Sequence, residues 1–149
     1  MTAVRIDAQA FQQGFRDLAI DIAYAATQAI KAAVSAAEAS ARGTRLYNDV
    51  SGALRQNTRG ETSGITGRLS ANTKYARWVE NGTKPHVIAA RGGGLLSFVA
   101  NGQRVFARRV NHPGTAARPF MAQAAVVGQT TLEYAAESFV GSAISRFGS

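Results

Sequence analysis

Residues 75–120 read YARWVENGTKPHVIAARGGGLLSFVANGQRVFARRVNHPGTAARPF, and the punctuation of this stretch decides the fold. Tyr75, Ala76, Trp78 and Val79 have the spacing of a short amphipathic helix, and Gly82 stands where its C-cap belongs. A strand is predicted over 86–90, then a flexible break at Arg91-Gly92-Gly93-Gly94. Leu95–Ala100 and Gln103–Val110 flank Asn101-Gly102, a dipeptide that supplies the two positive φ angles of a tight hairpin turn. In the second arm Val105 and Ala107 alternate with Arg104, Phe106 and Arg108, so one face is small and apolar and the other charged. Asn111-His112-Pro113-Gly114 reads as a turn. The residue before Pro119 is biased toward extended backbone, which ends the segment.

Helices flank this middle. Residues 7–41 carry Phe11, Phe15, Leu18, Ile22, Ala25, Ala29, Ala33 and Ala36 at spacings of three or four, a continuous stripe with Asp7 as N-cap and Gly43 as stop. The stripe is aromatic at its start and small at its end. The small half suits close approach by another backbone, either a neighbouring subunit or the chain's own sheet. A closing helix is predicted from Pro119 to Ile144, with Phe120, Ala124, Val127, Leu132, Ala135, Phe139 and Ala143 as its stripe. Residues 44–59 read as a connection with one helical turn around Val50–Gln56, and residues 60–73 as one irregular strand with a bulge at Gly64 or Gly67. The expected architecture is therefore α+β: an antiparallel β-sheet with a β-hairpin, packed by a long N-terminal helix and a C-terminal helix. It forms one domain over 1–149, divided as helix 1–43, a β-rich basic middle 44–118 and helix 119–149. A single domain of this length ordinarily buries ~68% of the surface of its unfolded chain. Much of the apolar 46% is alanine, which buries little area per residue, so modest stability raised by assembly is expected.

The net charge of +8 is concentrated. Residues 42–118 hold thirteen Lys/Arg against three Asp/Glu, while 1–41 and 119–149 are each at −1. Such a middle favours acidic partners, either nucleic acid or the acidic rim of another protein. Fourteen of the seventeen bases are Arg, suited to bidentate contact with carboxylate or phosphate. The absence of Cys excludes disulfides, iron–sulfur clusters and thiol catalysis. The opening MTAVRIDAQAF lacks the pattern of a signal peptide, and no run reaches the ~18 apolar residues of a membrane span, so a cytosolic setting is expected. Asn81-Gly82-Thr83 matches a glycosylation sequon but has no weight in that setting.

Candidate sites are few. His86 and His112 are the only imidazoles and no Cys accompanies them, so no metal site is expected. In its turn, His112 reads as a turn-stabilising side chain. Gly92-Gly93-Gly94 lacks the Gly-Lys-Ser/Thr that holds a phosphate and precedes a strand, so it reads as a flexible loop tip. Glu80 is the only acid between Tyr75 and Phe120, which removes paired-carboxylate chemistry from the segment; a nearby Arg or a subunit contact is its expected partner. Tyr75 and Trp78 have the spacing of core residues rather than of a base-stacking platform. The candidates for contact with a neighbour or an acidic partner are Arg91, Arg104, Arg108, Arg109, His112 and Arg118. The alternative for the hairpin arginines is a strand edge protected by charge.

The order of several pieces resembles a known family. Asp49-Val50-Ser51-Gly52-Ala53-Leu54-Arg55 comes first, followed by Tyr75-Ala76-Arg77-Trp78-Val79-Glu80-Asn81-Gly82-Thr83 and Pro85-His86-Val87-Ile88. Val105-Phe106-Ala107-Arg108-Arg109-Val110-Asn111-His112-Pro113-Gly114-Thr115 and Arg118-Pro119-Phe120-Met121 complete the series. Over residues 45–125 this is similar to the neck and tail-completion proteins of long-tailed bacteriophages, the head–tail joining or minor tail components. The family often has a large residue where Asn81 stands, and the polar Gln56-Asn57-Thr58 obscures the strand start. The resemblance implies no enzyme activity and no cofactor. It implies a structural virion protein that forms a ring in the neck, assembled in the bacterial host cytoplasm, between a head-completion or adaptor ring and tail-terminator or tail-tube proteins, with the genomic DNA passing through. The expected homo-oligomer is a hexamer, with a dodecamer as the alternative, and no membrane is involved. The motif residues that carry the resemblance are Tyr75, Trp78, Glu80, Gly82, Pro85, His86, Asn101, Gly102, Pro113, Gly114, Pro119 and Phe120. A competing reading is a basic nucleic-acid-binding protein without a structural role, whose affinity for duplex DNA would fall steeply with salt.

Overall fold

In the computed structural model, which describes residues 8–147, two long helices lie antiparallel and carry short β-ribbons. In chain order these are α1 (Gln9–Gly43), α2 (Ala53–Gln56), β1 (Thr58–Ser63), β2 (Thr66–Ala71), α3 (Ala76–Asn81), β3 (His86–Ala89), β4 (Leu96–Ala100), β5 (Gln103–Ala107), β6 (Arg109–His112) and α4 (Phe120–Phe147). The α+β class follows, with small antiparallel sheets: β1 pairs with β2, β3 with β6, and β4 with β5. The expected N-cap Asp7 lies outside the described residues.

α1 forms because its sequence is dominated by alanine, the strongest helix former. Its buried positions are Ala29, Ala33, Ala37 and Ala41, one per turn. They face α4, where Ala124 is buried, and a Cβ on Gly128 would lie 3.1 Å from both the Ala33 carbonyl oxygen and the Ala37 Cβ. The small half of the stripe is thus used within the chain. In its first half Leu18 is half-buried, while Phe11, Phe15 and Ile22 are exposed, as are Ile20 and Tyr24 beside the stripe.

The β1–β2 hairpin replaces the single irregular strand expected over 60–73. Its two-residue loop is Gly64-Ile65, with Gly64 at φ 55°, the residue order of a II′ turn. Gly67 marks no bulge. Gly60 and Gly67 sit diagonally on one face of the ribbon and receive Val34 of α1 between them. A Cβ on Gly60 would come within 2.5 Å of one Val34 methyl, and on Gly67 within 2.4 Å of the other. Glu38 completes the seam: its carboxylate accepts the Gly60 N–H at 2.9 Å and pairs with Arg42 at 2.9 Å.

The core is small and sits where the C-terminal half of α1 meets the start of α4. Phe120, Leu54 and Thr58 are fully buried. The Phe120 ring meets Tyr47 edge-on at 5.0 Å, and Leu69, Tyr75, Val79 and Met121 pack around this cluster. Burial raises the pKa of the Tyr47 hydroxyl above its ordinary value. Asp49 organises the connection from α1 by accepting the Arg55 N–H at 2.9 Å. The Arg55 side chain returns to the end of α1, donates to the Arg42 and Thr44 carbonyls, and stacks on Tyr47. Those carbonyls would otherwise have no partner in the helix.

The accessible surface is 11471 Å² for 15.7 kDa. A folded monomer of that mass exposes about 7,300 Å² and its unfolded chain about 22,800 Å². Folding therefore buries about half of the surface rather than the ~68% expected from length. Deducting about 1,400 Å², the unfolded-chain area for the mass of the nine residues outside 8–147, leaves an excess of about 3,000 Å².

Two outcomes follow from the α1–hairpin seam. Gly67→Val should lower stability by about 1–3 kcal/mol through overpacking, and Val34→Ala in the same chain should restore part of it, as read by denaturant unfolding. The Glu38 pKa is lowered, first by the Gly60 N–H and then by Arg42. Its contribution is complete above the ordinary carboxylate pKa and is lost as pH falls through the lower folded value. Glu38→Gln should therefore flatten the acid side of the melting-temperature profile and leave the neutral side's shape unchanged.

Candidate functional site

The distinctive segment folds into a clamp and an arm. At the clamp, Thr83 and Thr115 exchange backbone hydrogen bonds of 2.9 and 3.1 Å. Gly82 at φ 69° and Gly114 at φ 90° make this approach possible. A Cβ on Gly82 would stand 2.4 Å from the Thr115 carbonyl oxygen, and one on Gly114 would stand 2.3 Å from that of Thr83. The Glu-Asn-Gly-Thr and His-Pro-Gly-Thr motifs, more than thirty residues apart, are thus two halves of one contact. Gly82 also ends α3, as its position predicts.

In place of the nearby arginine expected for it, Glu80 engages the start of α4. Its two carboxylate oxygens accept the N–H groups of Met121 and Ala122 at 2.8 and 3.0 Å, capping the first turn of α4. The Ala117-Arg118-Pro119 approach to α4 has no Ser, Thr, Asp or Asn to do this locally. The Arg118 N–H donates to the Val79 carbonyl at 2.8 Å, and its guanidinium donates to the Leu46 carbonyl. α3, α4 and the loop after α1 are thereby tied together beside Phe120.

From this root the chain runs out and back as one ribbon. His86 lies opposite His112 and Ile88 opposite Val110 in β3–β6; Ala90 then donates to the Arg108 carbonyl at 2.9 Å. Beyond a kink, β4–β5 pairs Leu96 with Ala107, Phe98 with Val105 and Val99 with Arg104, closing at Asn101-Gly102 with φ 51° and 78°. The second arm expected over Gln103–Val110 is broken at Arg108, and Asn111 and His112 belong to β6 rather than to a turn. The kink lies at Arg91–Gly94, where Gly92 and Gly93 have φ 62° and 75°.

The six predicted contact residues divide. Arg91, Arg104, Arg108 and Arg109 are exposed on the arm. Arg118 is engaged at the root as described. His112 is half-buried; its Nδ1 accepts the Gly114 N–H at 3.0 Å, the turn-stabilising role its sequence context suggests. Its ring lies 5.0 Å from that of His86, whose Nδ1 contacts the Lys84 carbonyl at 2.9 Å. Tyr75 packs at the edge of the core, but Trp78 is 46% exposed, covered in part by the Arg77 guanidinium, and lines a groove with Lys84, His86 and His112. Among the described residues no group of three or more His, Cys, Asp or Glu is placed to hold a metal ion. No described helix is long and apolar enough to cross a membrane. No model of a known protein family, no curated protein and no solved structure matches this chain.

Removing the Glu80 carboxylate tests the clamp. Glu80→Ala should cost about 1.5–3 kcal/mol, since it orphans two donors that a charged acceptor had satisfied, and urea unfolding should register it. Exchange of the Met121 and Ala122 amide hydrogens should accelerate by more than that of amides in the middle of α4.

Proposed function

We propose that this chain is a non-catalytic structural subunit that joins copies of itself into a ring, and that the ring serves the head–tail neck of a long-tailed bacteriophage. The carrying observation is the excess surface of about 3,000 Å² on a chain of this mass. Obligate interfaces bury about 2,000–5,000 Å² in total. In a closed ring each subunit contributes two half-interfaces, so its share of covered area equals one whole interface. The excess matches that requirement.

The neck assignment is supported by the order of motifs from Asp49 to Met121, which resembles the tail-completion family, and by what those motifs do. Gly82, Thr83, Gly114 and Thr115 build the root of a projecting arm, and Glu80 and Phe120 fix that root to the helices. A projecting arm on a firm base is a device for reaching a neighbour or an adjoining layer. The partners in this reading are further copies, a head-completion ring, tail-terminator or tail-tube proteins and the DNA passing through.

Light scattering on the purified chain should give the mass of a hexamer, or of a dodecamer, and negative-stain images should show closed rings with a central opening. Particles assembled without the protein should be filled heads lacking tails. Monomers at every concentration, or intact infectious particles without the chain, would overturn the proposal.

A further inference from the structure

The arm as it stands is incomplete. A two-stranded ribbon alone in water is only marginally stable, and needs a further strand or a helix against it. Here the face of β4–β5 that carries Val99, Arg104 and Phe106 is open: Val99 is 71% and Phe106 is 59% exposed. The whole ribbon from His86 to His112 carries Arg91, Arg104, Arg108 and Arg109 and no acid. Its surface is apolar and cationic.

A surface of opposite character lies elsewhere on the same chain. The β1–β2 hairpin packs on the C-terminal half of α1 and reaches the distal parts of the helix pair, α1 from Gln9 to Gln28 and α4 from Gln129 onward, with its tip, where Ile65 lines a cavity with Ile22, Leu132 and Phe139. Phe15, Ile20 and Tyr134 are each more than 60% exposed there. In sequence this region carries Asp17, Asp21, Glu133 and Glu137 against Arg16 and Arg146. Gln13 and Gln129 donate to Asp17 and Glu133 at 2.9 Å each, neutral partners that leave the carboxylate charge in place. This surface is apolar and anionic. Five residues of β4–β5 span about 17 Å, well within the ~30 Å offered by twenty residues of helix.

We infer that the arm of one copy seats on the distal α1–α4 pair of the next copy. The inference rests on the assembly reading above and names the contact that makes the ring. It gives the open ribbon the helical support it lacks. It covers the exposed aromatic end of α1 and sets arginines among carboxylates.

The chain has no cysteine, so single cysteines report proximity cleanly. Phe106→Cys on the arm and Tyr134→Cys on α4 replace exposed side chains and leave the core untouched. The two variants are mixed, oxidised and resolved on a non-reducing gel. The mixture should give at least about ten-fold more disulfide-linked dimer than either variant alone, because docking raises the effective concentration of one thiol at the other. Arg104→Glu with Arg108→Glu should suppress that adduct, and so should Glu133→Arg with Glu137→Arg. Mixing the two charge-reversed partners should restore it. Adducts confined to one variant alone would mean like surfaces meet, and would overturn the inference. So would a light-scattering oligomer that forms no mixed adduct; the assembly reading would survive that result. A monomer in all conditions would remove both. An adduct abolished by stoichiometric duplex DNA at physiological salt would assign the arm to nucleic acid and reject the inference.

Discussion

Two hydrogen bonds to one carboxylate hold this fold in register. Glu80, at the end of a six-residue helix, accepts the first free N–H groups of α4. A short helix has little stability of its own, and α4 begins without a local cap. Each element therefore supplies what the other lacks. Beside that junction, Gly82 and Gly114 let two segments meet where any side chain would hold them apart, and Phe120 is fully buried in the core cluster. If α4 did not start at this point, Gly128 would not face Ala33 and Ala37, and the alanine stripe of α1 would have no counterpart.

Parts of this design are legible in the sequence because they depend on local chemistry. Asn101-Gly102 dictates a tight turn wherever it occurs between strands, and the alanine-rich periodicity of α1 needs no partner to be recognised. Gly82 as a helix stop is equally local. Other parts are decided by contacts between distant residues. Gly60 and Gly67 look like irregularities in a strand, yet their missing side chains are the socket for Val34. Trp78 has core spacing, but the helix that carries it is only partly covered, so the ring lies in a surface groove. The remote role of Glu80 did leave a trace: a helix start with no capping residue, and one acid in a long basic segment. Those two facts together call for a carboxylate from elsewhere.

The arginines of the basic middle include two contrasting groups. Arg55 and Arg118 spend their donors on carbonyls within the chain, at the end of α1 and in the loop that follows it. These cations satisfy backbone groups that no helix partner reaches, and their role is in the fold. Arg91, Arg104, Arg108 and Arg109 lie on the ribbon and are exposed. Composition gives the same sign to both groups; only the tertiary structure separates arginines that complete the subunit from arginines that face outward.

That separation constrains how copies can meet. Arm against arm would bring four guanidiniums toward four others, and juxtaposed like charges cost several kcal/mol in a desolvated interface. Helix pair against helix pair would gather carboxylates in the same way. Both self-matching contacts are disfavoured, although each would bury apolar side chains. The contact that satisfies apolar and charged groups together joins two different surfaces of the chain. Such a head-to-tail contact leaves one unused surface of each kind at the ends of any open chain of copies, so growth stops only when the rotation between neighbours returns the last copy to the first. In the proposed assembly, a basic arm and an acidic helix pair favour rings or filaments over symmetric dimers on electrostatic grounds, and the clamp at the root of the arm would fix the rotation.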